Sequence, residues 1–376
     1  IPYIIARRFL QTPHRTDYPI VDLQFRGTLR PQQVAVGREA IAQLEKDGTT
    51  ILALCTGFGK TVVAAALACH LRLLTLVFYH LTTINAQQET TFRRDTNAVI
   101  WIVGEGDPPP GFTVILCMRE RLHHIPKEVL RLVGTFIIDE AHLHCTFHNI
   151  NNLLQVTPRY IILQSATLEK KNGLHNIMYA ITGRHRVERQ STVPFNVVQV
   201  GIRTVYPMDL DAKGKPCLHA LRRHTANDME RNRRAAEIAS RAVQEGKKPL
   251  ILTHLVEHVY VMERLLQEMQ QEVSVMCESR KNYKDANILV GSVSKIGTAF
   301  DAATLCSDYR GKAFDVLIIM TSFASETVLV QCVGRVLRAD SATIYHLVNN
   351  SVRIYAKHWK FCLKWYETRA TDISYM

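Results

Sequence analysis

Short runs of β-branched and aliphatic residues alternate with helical stretches along most of this 376-residue chain, and no other feature constrains its fold as tightly. In the first half the runs fall at 50–55, 75–79, 99–103, 114–118, 135–139 and 160–164, separated by helical segments such as 33–46 and 61–71. In the second half they fall at 249–253, 272–277, 288–291, 316–320 and 343–347. Near-continuous Val/Ile/Leu strands between helices predict parallel sheets covered on both faces. Two such blocks predict an α/β chain with two parallel-sheet domains in tandem. The seam is expected at 185–200, where charged 184–189 gives way to Ser191-Thr-Val-Pro194. The division that follows is an extension at 1–27, a first domain at 28–190, a second at 191–350 and a basic, aromatic helix at 351–376.

Composition narrows the function. Hydrophobic residues make up 47% and charged residues 21%, which excludes disordered and coiled-coil classes. Runs such as 316–320 and 73–78 are far shorter than the roughly 18 apolar residues of a membrane span, so no membrane partner is expected. Lys and Arg exceed Asp and Glu by 46 to 34, a net charge of +12, which favours a polyanionic partner. The nine cysteines are scattered singly with no CxxC pair, which points to buried thiols in a reducing, intracellular compartment and away from a disulfide frame. A chain that opens on Ile1 is expected to be part of a longer one.

Four motifs carry chemistry. Thr56-Gly-Phe-Gly-Lys-Thr61 follows an apolar strand and opens a helix, so Gly57 and Gly59 let backbone N–H groups around Phe58 wrap a phosphate. Lys60 then reaches the β- and γ-phosphates and the Thr61 hydroxyl ligates Mg²⁺. Leu54 stands where the full P-loop pattern has its first glycine. The bland alternative is a glycine turn that merely caps a helix. In Thr135-Phe-Ile-Ile-Asp-Glu-Ala-His142, Asp139 ends a parallel strand, at the edge where α/β sheets bind ligands, and is placed to hold Mg²⁺. Glu140 could orient or deprotonate an attacking water. The alternative is an acidic helix cap. His142, His144, Cys145 and His148 match no zinc spacing, and His142 already has a role beside Glu140.

Gln164-Ser-Ala-Thr167 sets two hydroxyls, Ser165 and Thr167, about Ala166 at a strand end, suited to relaying a change at the γ-phosphate but weak on its own. Gln331-Cys-Val-Gly-Arg-Val-Leu-Arg338 places Arg335 and Arg338 three apart, on one face if the segment is helical. Guanidiniums so placed suit arginine fingers on transition-state charge, although a basic amphipathic helix has the same pattern.

In order and spacing these segments resemble motifs I, II, III and VI of superfamily 2 helicases. Leu29-Arg-Pro-Gln-Gln33 resembles the entry segment of the XPB-like and restriction-helicase branches. Residues 249–266 resemble motif IV, and 288–301, with its Ser-Lys-Ile-Gly and Phe-Asp pairs, resembles motif V of XPB-like and large-DNA-virus helicases. The Asp139–His142 tetrad reads DEAH. Together these cover roughly residues 28–350.

The resemblance implies two RecA-like domains with a nucleotide cleft between them, ATP and Mg²⁺ as cofactors, and nucleic acid as substrate, with DNA favoured over RNA. It implies an adenine contact at Gln32 or Gln33, phosphate and metal contacts at Thr56–Thr61 and Asp139, and hydrolysis driven by Asp139 and Glu140. Coupling falls to His142, Ser165, Ala166 and Thr167, and completion of the site to Gln331, Arg335 and Arg338, with Asp301 nearby. Replication or transcription proteins are candidate partners, no oligomer is required, and a virus-encoded chain would work in the host nucleus or cytoplasm. Segment Ia reads Tyr79-His-Leu-Thr-Thr83 without the usual Pro-Thr pair, and Ala299 replaces a motif V glycine, so strand contacts are the least defined part.

The basic helix around Arg231, Arg233 and Arg234 and a tail stripe of Lys357, Lys360 and Lys364 could add nucleic-acid contacts. Tyr355, Trp359, Cys362 and Tyr366 lie roughly opposite that stripe and are expected to pack on the domain. Two rivals remain: an ATP-gated clamp or remodeller without strand separation, and a non-catalytic scaffold. The scaffold is disfavoured because the chemical residues are intact.

Overall fold

The expected runs become strands, and the strands sort into two sheets in which every pairing is parallel. The structure is a computed structural model. It describes residues 6, 9–10, 16–80, 82–144, 146, 149–165, 173–207, 209–210, 214, 216–277, 280, 282–297, 300 and 302–376. The chain divides into two units, Ile1–Gln190 and Ser191–Met376.

The first unit holds β1 (Thr49–Leu54), β2 (Thr75–Tyr79), β3 (Ile100–Ile102), β4 (Val114–Met118), β5 (Thr135–Ile138), β6 (Tyr160–Gln164) and β7 (Val187–Arg189). They form a seven-stranded sheet in the order β3-β4-β2-β5-β6-β1-β7. β1, β2 and β5 are buried along their whole length, as strands covered by helices on both faces must be. Ile51, Leu76, Phe78, Ile115, Phe136, Ile138 and Leu163 form the heart of one face, and each such side chain contributes roughly 1.5–3 kcal/mol on burial.

The entry helix Pro31–Asp47 shows how local sequence sets the frame. Pro31 sits in the first turn, where its missing N–H costs nothing, and Gly48 ends the helix in the left-handed region at φ 72°. The Gln33 side chain folds back so that its Oε1 accepts the Arg30 N–H at 2.8 Å.

The second unit holds β8 (Phe195–Ile202), β9 (Pro249–Thr253), β10 (Val273–Met276), β11 (Ile288–Ser292), β12 (Val316–Ile319), β13 (Ala342–Asn349) and β14 (Asp372–Tyr375). Their order is β10-β11-β9-β12-β13-β8-β14. β7, β8 and β14 were not among the expected strands. β7 and β14 are short and polar, and β8 begins directly after Pro194 inside the expected seam. The tail helix Arg353–Tyr366 buries Tyr355, Trp359, Cys362, Trp365 and Tyr366, with Trp365 stacked on Phe195 at 6.1 Å between ring centroids.

One expectation is corrected. The helix Glu326–Val333 stops before Arg335, and residues 334–338 continue as tight turns. There Arg335 N–H donates to Cys332 O at 3.1 Å and Val336 N–H to Val333 O at 3.1 Å, so the two arginines do not share the face of an α-helix.

Candidate active site

The first unit gathers its functional groups at the C-terminal ends of β1, β5 and β6. After β1 the chain enters a glycine turn in which Gly57 and Gly59 have φ of 83° and 89°, a region that favours glycine. Gly59 has a second constraint, because a Cβ there would run into the Gln33 amide. Gln33 is buried, and its Nε2 donates to Phe58 O at 2.9 Å while Arg30 donates to the same carbonyl. The entry segment therefore grips the turn from outside. Gln32 is exposed. Helix Lys60–Leu71 starts immediately after the turn, with the Lys60 Nζ donating to Leu54 O at 3.2 Å. The Gln164 amide from the end of β6 donates to Lys60 O at 2.9 Å.

Asp139 follows β5 and is 8% exposed. Burial, reinforced by the charge of Glu140, raises its pKa above the usual carboxylate range against the opposing pull of Lys60. Its Oδ2 accepts from Gln88 Nε2 at 2.8 Å, and its Oδ1 accepts from the Glu140 N–H at 2.9 Å. Glu140 has φ 44°, an uncommon conformation for a non-glycine residue, held here at the turn out of the strand. His142 Nδ1 lies 3.3 Å from Glu140 Oε2 and 2.9 Å from Ser165 Oγ, linking the carboxylate to the end of β6. His144 is fully buried beside Phe78, and burial drops its pKa to about 3, so the ring is neutral at physiological pH.

The structure thus brings together Lys60, Thr61, Asp139, Glu140, His142 and Ser165. The buried Thr61 hydroxyl and the Asp139 carboxylate are hard oxygen donors, and the under-compensated Asp139–Glu140 pair would welcome positive charge. These residues fit Mg²⁺. Gln88 and Arg30 escaped functional assignment in the sequence. Gln88 lies in a polar helical stretch with no motif around it, whereas Arg30 stood inside the quoted entry segment. Ala166, Thr167, Cys145, His148, Ala299 and Asp301 lie outside the described residues.

In the second unit Gln331 is buried on the helix Glu326–Val333. Arg335 is 7% exposed and donates to Phe300 O at 2.6 Å and to Gly297 O at 3.0 Å, whereas Arg338 is exposed. The two guanidiniums that sequence reads as equivalent therefore occupy different environments.

Comparison with known proteins bears on the family and the fold. Residues 26–170 match the family model "Type III restriction enzyme, res subunit". The chain is 29% identical to "Putative helicase 161L" of Invertebrate iridescent virus 6, over 98% of this chain and 87% of that one. It is 25% identical to "Putative ATP-dependent RNA helicase L396" of Acanthamoeba polyphaga mimivirus, over 86% of this chain and 64% of that one. Its fold is similar to that of S. cerevisiae Dbp5 solved with RNA and ADP BeF3. The TM-score is 0.60 with 10% identity, covering 93% and 94% of the two chains. The two parallel sheets are RecA-like.

Proposed function

We propose the following cycle from the premise that the chain belongs to helicase superfamily 2 and is an ATP-dependent nucleic-acid helicase. The backbone N–H groups of the glycine turn and Lys60 hold the phosphates, which the helix N-terminus favours electrostatically. Thr61 and Asp139 would hold Mg²⁺, whose contribution when bound is to neutralise phosphate charge. Glu140 orients the attacking water and accepts its proton. His142 and Ser165 pass the change at the γ-phosphate to the end of β6. Gln33 contacts the adenine through the amide hydrogen and lone pair that its bonds to Phe58 and Arg30 leave over. Arg338, with Gln331, stabilises charge on the transferring phosphoryl group, and Arg335 holds the carbonyls of Gly297 and Phe300.

The substrate is a nucleic-acid strand held mainly by its backbone, with DNA favoured by the motif V segment and its likeness to the XPB-like and large-DNA-virus branch. The observation that carries this reading is the continuous set Lys60–Asp139–Glu140–His142–Ser165 within one unit.

ATP hydrolysis measured alone and with single-stranded DNA, duplex DNA and RNA tests it, beside a strand-displacement assay. Lys60→Ala should reduce turnover by on the order of a thousandfold, and Glu140→Gln should bind ATP and turn it over very slowly. Wild-type turnover in Lys60→Ala would remove the glycine turn from the reaction. Stimulated hydrolysis without displacement would identify a clamp or translocase.

A further inference from the structure

The tail helix carries a feature that the nucleotide chemistry leaves unused. Arg353, Lys357, Lys360 and Lys364 are all exposed and recur at intervals of four, three and four, so they form one stripe about 16 Å long. Among the described residues no carboxylate forms a salt bridge with any of the four.

The helix Leu218–Asn227 extends the same positive surface. It meets the tail helix through Leu221, Val352 and Tyr355, and through a hydrogen bond between the Thr225 and Tyr355 hydroxyls at 3.1 Å. Its Arg222 acts electrostatically on both His254, after β9, and His358 of the tail helix. His358 Nδ1 lies 2.9 Å from Ser322 Oγ, past the end of β12. Burial comes first and neighbouring positive charge second in lowering both histidines, and no carboxylate counters it. Three acids near the helix Leu218–Asn227 are already engaged: Asp209 with His224 at 2.7 Å, Glu257 with Arg223 at 3.5 Å, and Asp228 with the Tyr206 hydroxyl at 2.7 Å and the Arg231 N–H at 3.0 Å. Among the described residues Arg222 and the lysine stripe therefore form no salt bridge.

We infer that this face, formed by the helices Leu218–Asn227 and Arg353–Tyr366, binds the phosphodiester backbone of nucleic acid at a place outside the helicase motifs. The inference rests on the nucleic-acid reading above and adds a second grip to it. Exposed cations spaced along a rod suit a regularly charged strand, and such contacts are insensitive to sequence. An anionic membrane is the other polyanion such a stripe could meet. It fits less well, because the apolar side of the tail helix is committed to the protein core and leaves no apolar face to insert.

The test compares the parent with Lys357→Gln/Lys360→Gln/Lys364→Gln and with the corresponding triple Glu variant. The probes are labelled thymidine and uridine homopolymers over a salt series, and phosphatidylserine vesicles. All three positions are exposed, so thermal melts should match the parent. Affinity for the homopolymers should fall on the order of tenfold in the Gln variant and further in the Glu variant. The log–log salt dependence should become shallower by about 2, three contacts at roughly 0.7 each. ATP hydrolysis without nucleic acid should not change. Loss on one homopolymer alone would support the surface and assign it to that sugar. Parent-like affinity and slope in both variants would overturn the surface while leaving the helicase reading intact, as would a loss confined to vesicles. A parent that binds neither homopolymer would take both readings down.

Discussion

The two units repeat one topology and diverge in what they hang on it. Ranked by sequence within each unit, the strand order is the same in both sheets, so β8 occupies the place of β1 and β12 the place of β5. In the first unit those two positions lead into the glycine turn and into Asp139–Glu140. In the second they lead into an exposed excursion after Ile202 and into Thr321–Ser322. Among the described residues each unit buries two carboxylates, Asp95 and Asp139 in the first and Asp228 and Asp285 in the second, whereas the buried cations, Arg231, Lys248 and Arg335, all belong to the second, as do the basic helices. Parallel α/β sheets offer their carboxyl edges for ligands whatever the sequence, so the duplicated scaffold supplies positions and each copy supplies its own chemistry.

The arginines of the second unit give the sharpest way to break that division. Arg338→Ala should lower nucleic-acid-stimulated ATP turnover by a thousandfold or so, as loss of an arginine finger does, with an unchanged melting temperature. Arg335→Ala should show the other signature. Losing its bonds to Phe300 and Gly297 leaves two buried carbonyls without a donor and should destabilise the second unit by about 3 kcal/mol. Melting curves and single-turnover hydrolysis on both variants separate the roles. If Arg338→Ala hydrolyses ATP like the parent, chemistry resides in the first unit alone.

This pair also marks how far the sequence could be read. Strands such as Thr75–Tyr79, Val114–Met118 and Tyr160–Gln164 have the expected bounds because continuous aliphatic runs leave little alternative. β8 was illegible because Asn196 and Gln199 interrupt its run, and its pairing with β13 and β14 is set by distant residues. Lys60, Asp139 and Glu140 could be named from spacing because a phosphate and a metal demand fixed groups at strand ends. The different burial of Arg335 and Arg338 could not, since it depends on where the helix stops and on the Gly297 and Phe300 carbonyls that Arg335 reaches. Gln88 was invisible for the same reason: its bond to Asp139 spans 51 residues and follows no motif.

A smaller effect tests whether ionic groups in the second unit also serve its fold. Lys248 and Asp285 form an ion pair with both side chains 5% exposed, and the ammonium lies 5.2 Å from the centre of the Phe314 ring. Removing one partner strands the other charge in the interior, so Lys248→Ala should cost about 3–5 kcal/mol in urea unfolding. The exposed Arg223–Glu257 pair sets the scale, because Arg223→Ala should cost less than about 1 kcal/mol. Equal costs would mean that burial does not govern these pairs.

Acid should separate the units more gently. His258 and His346 in the second unit have pKa values of about 3, lowered first by burial and then by the charge of Arg231. In an unfolded chain the same rings titrate near 6.5. Between those limits the unfolded state binds more protons than the folded one, so stability falls as pH drops below about 6.5 and stops falling below about 3. From pH 7 to pH 6 these two histidines together should remove on the order of 1 kcal/mol from the second unit. His254, held near 4, adds to the effect there, and in the first unit burial lowers His144 in the same way, to about 3. Amide hydrogen exchange followed strand by strand should therefore accelerate in β9, β12 and β13 before it does in β1, β2 and β5. Arg231→Met should blunt this response, since it removes the charge that both rings face. Faster acid-induced exchange in the first sheet would mean that the histidines beside Arg231 do not set the limit.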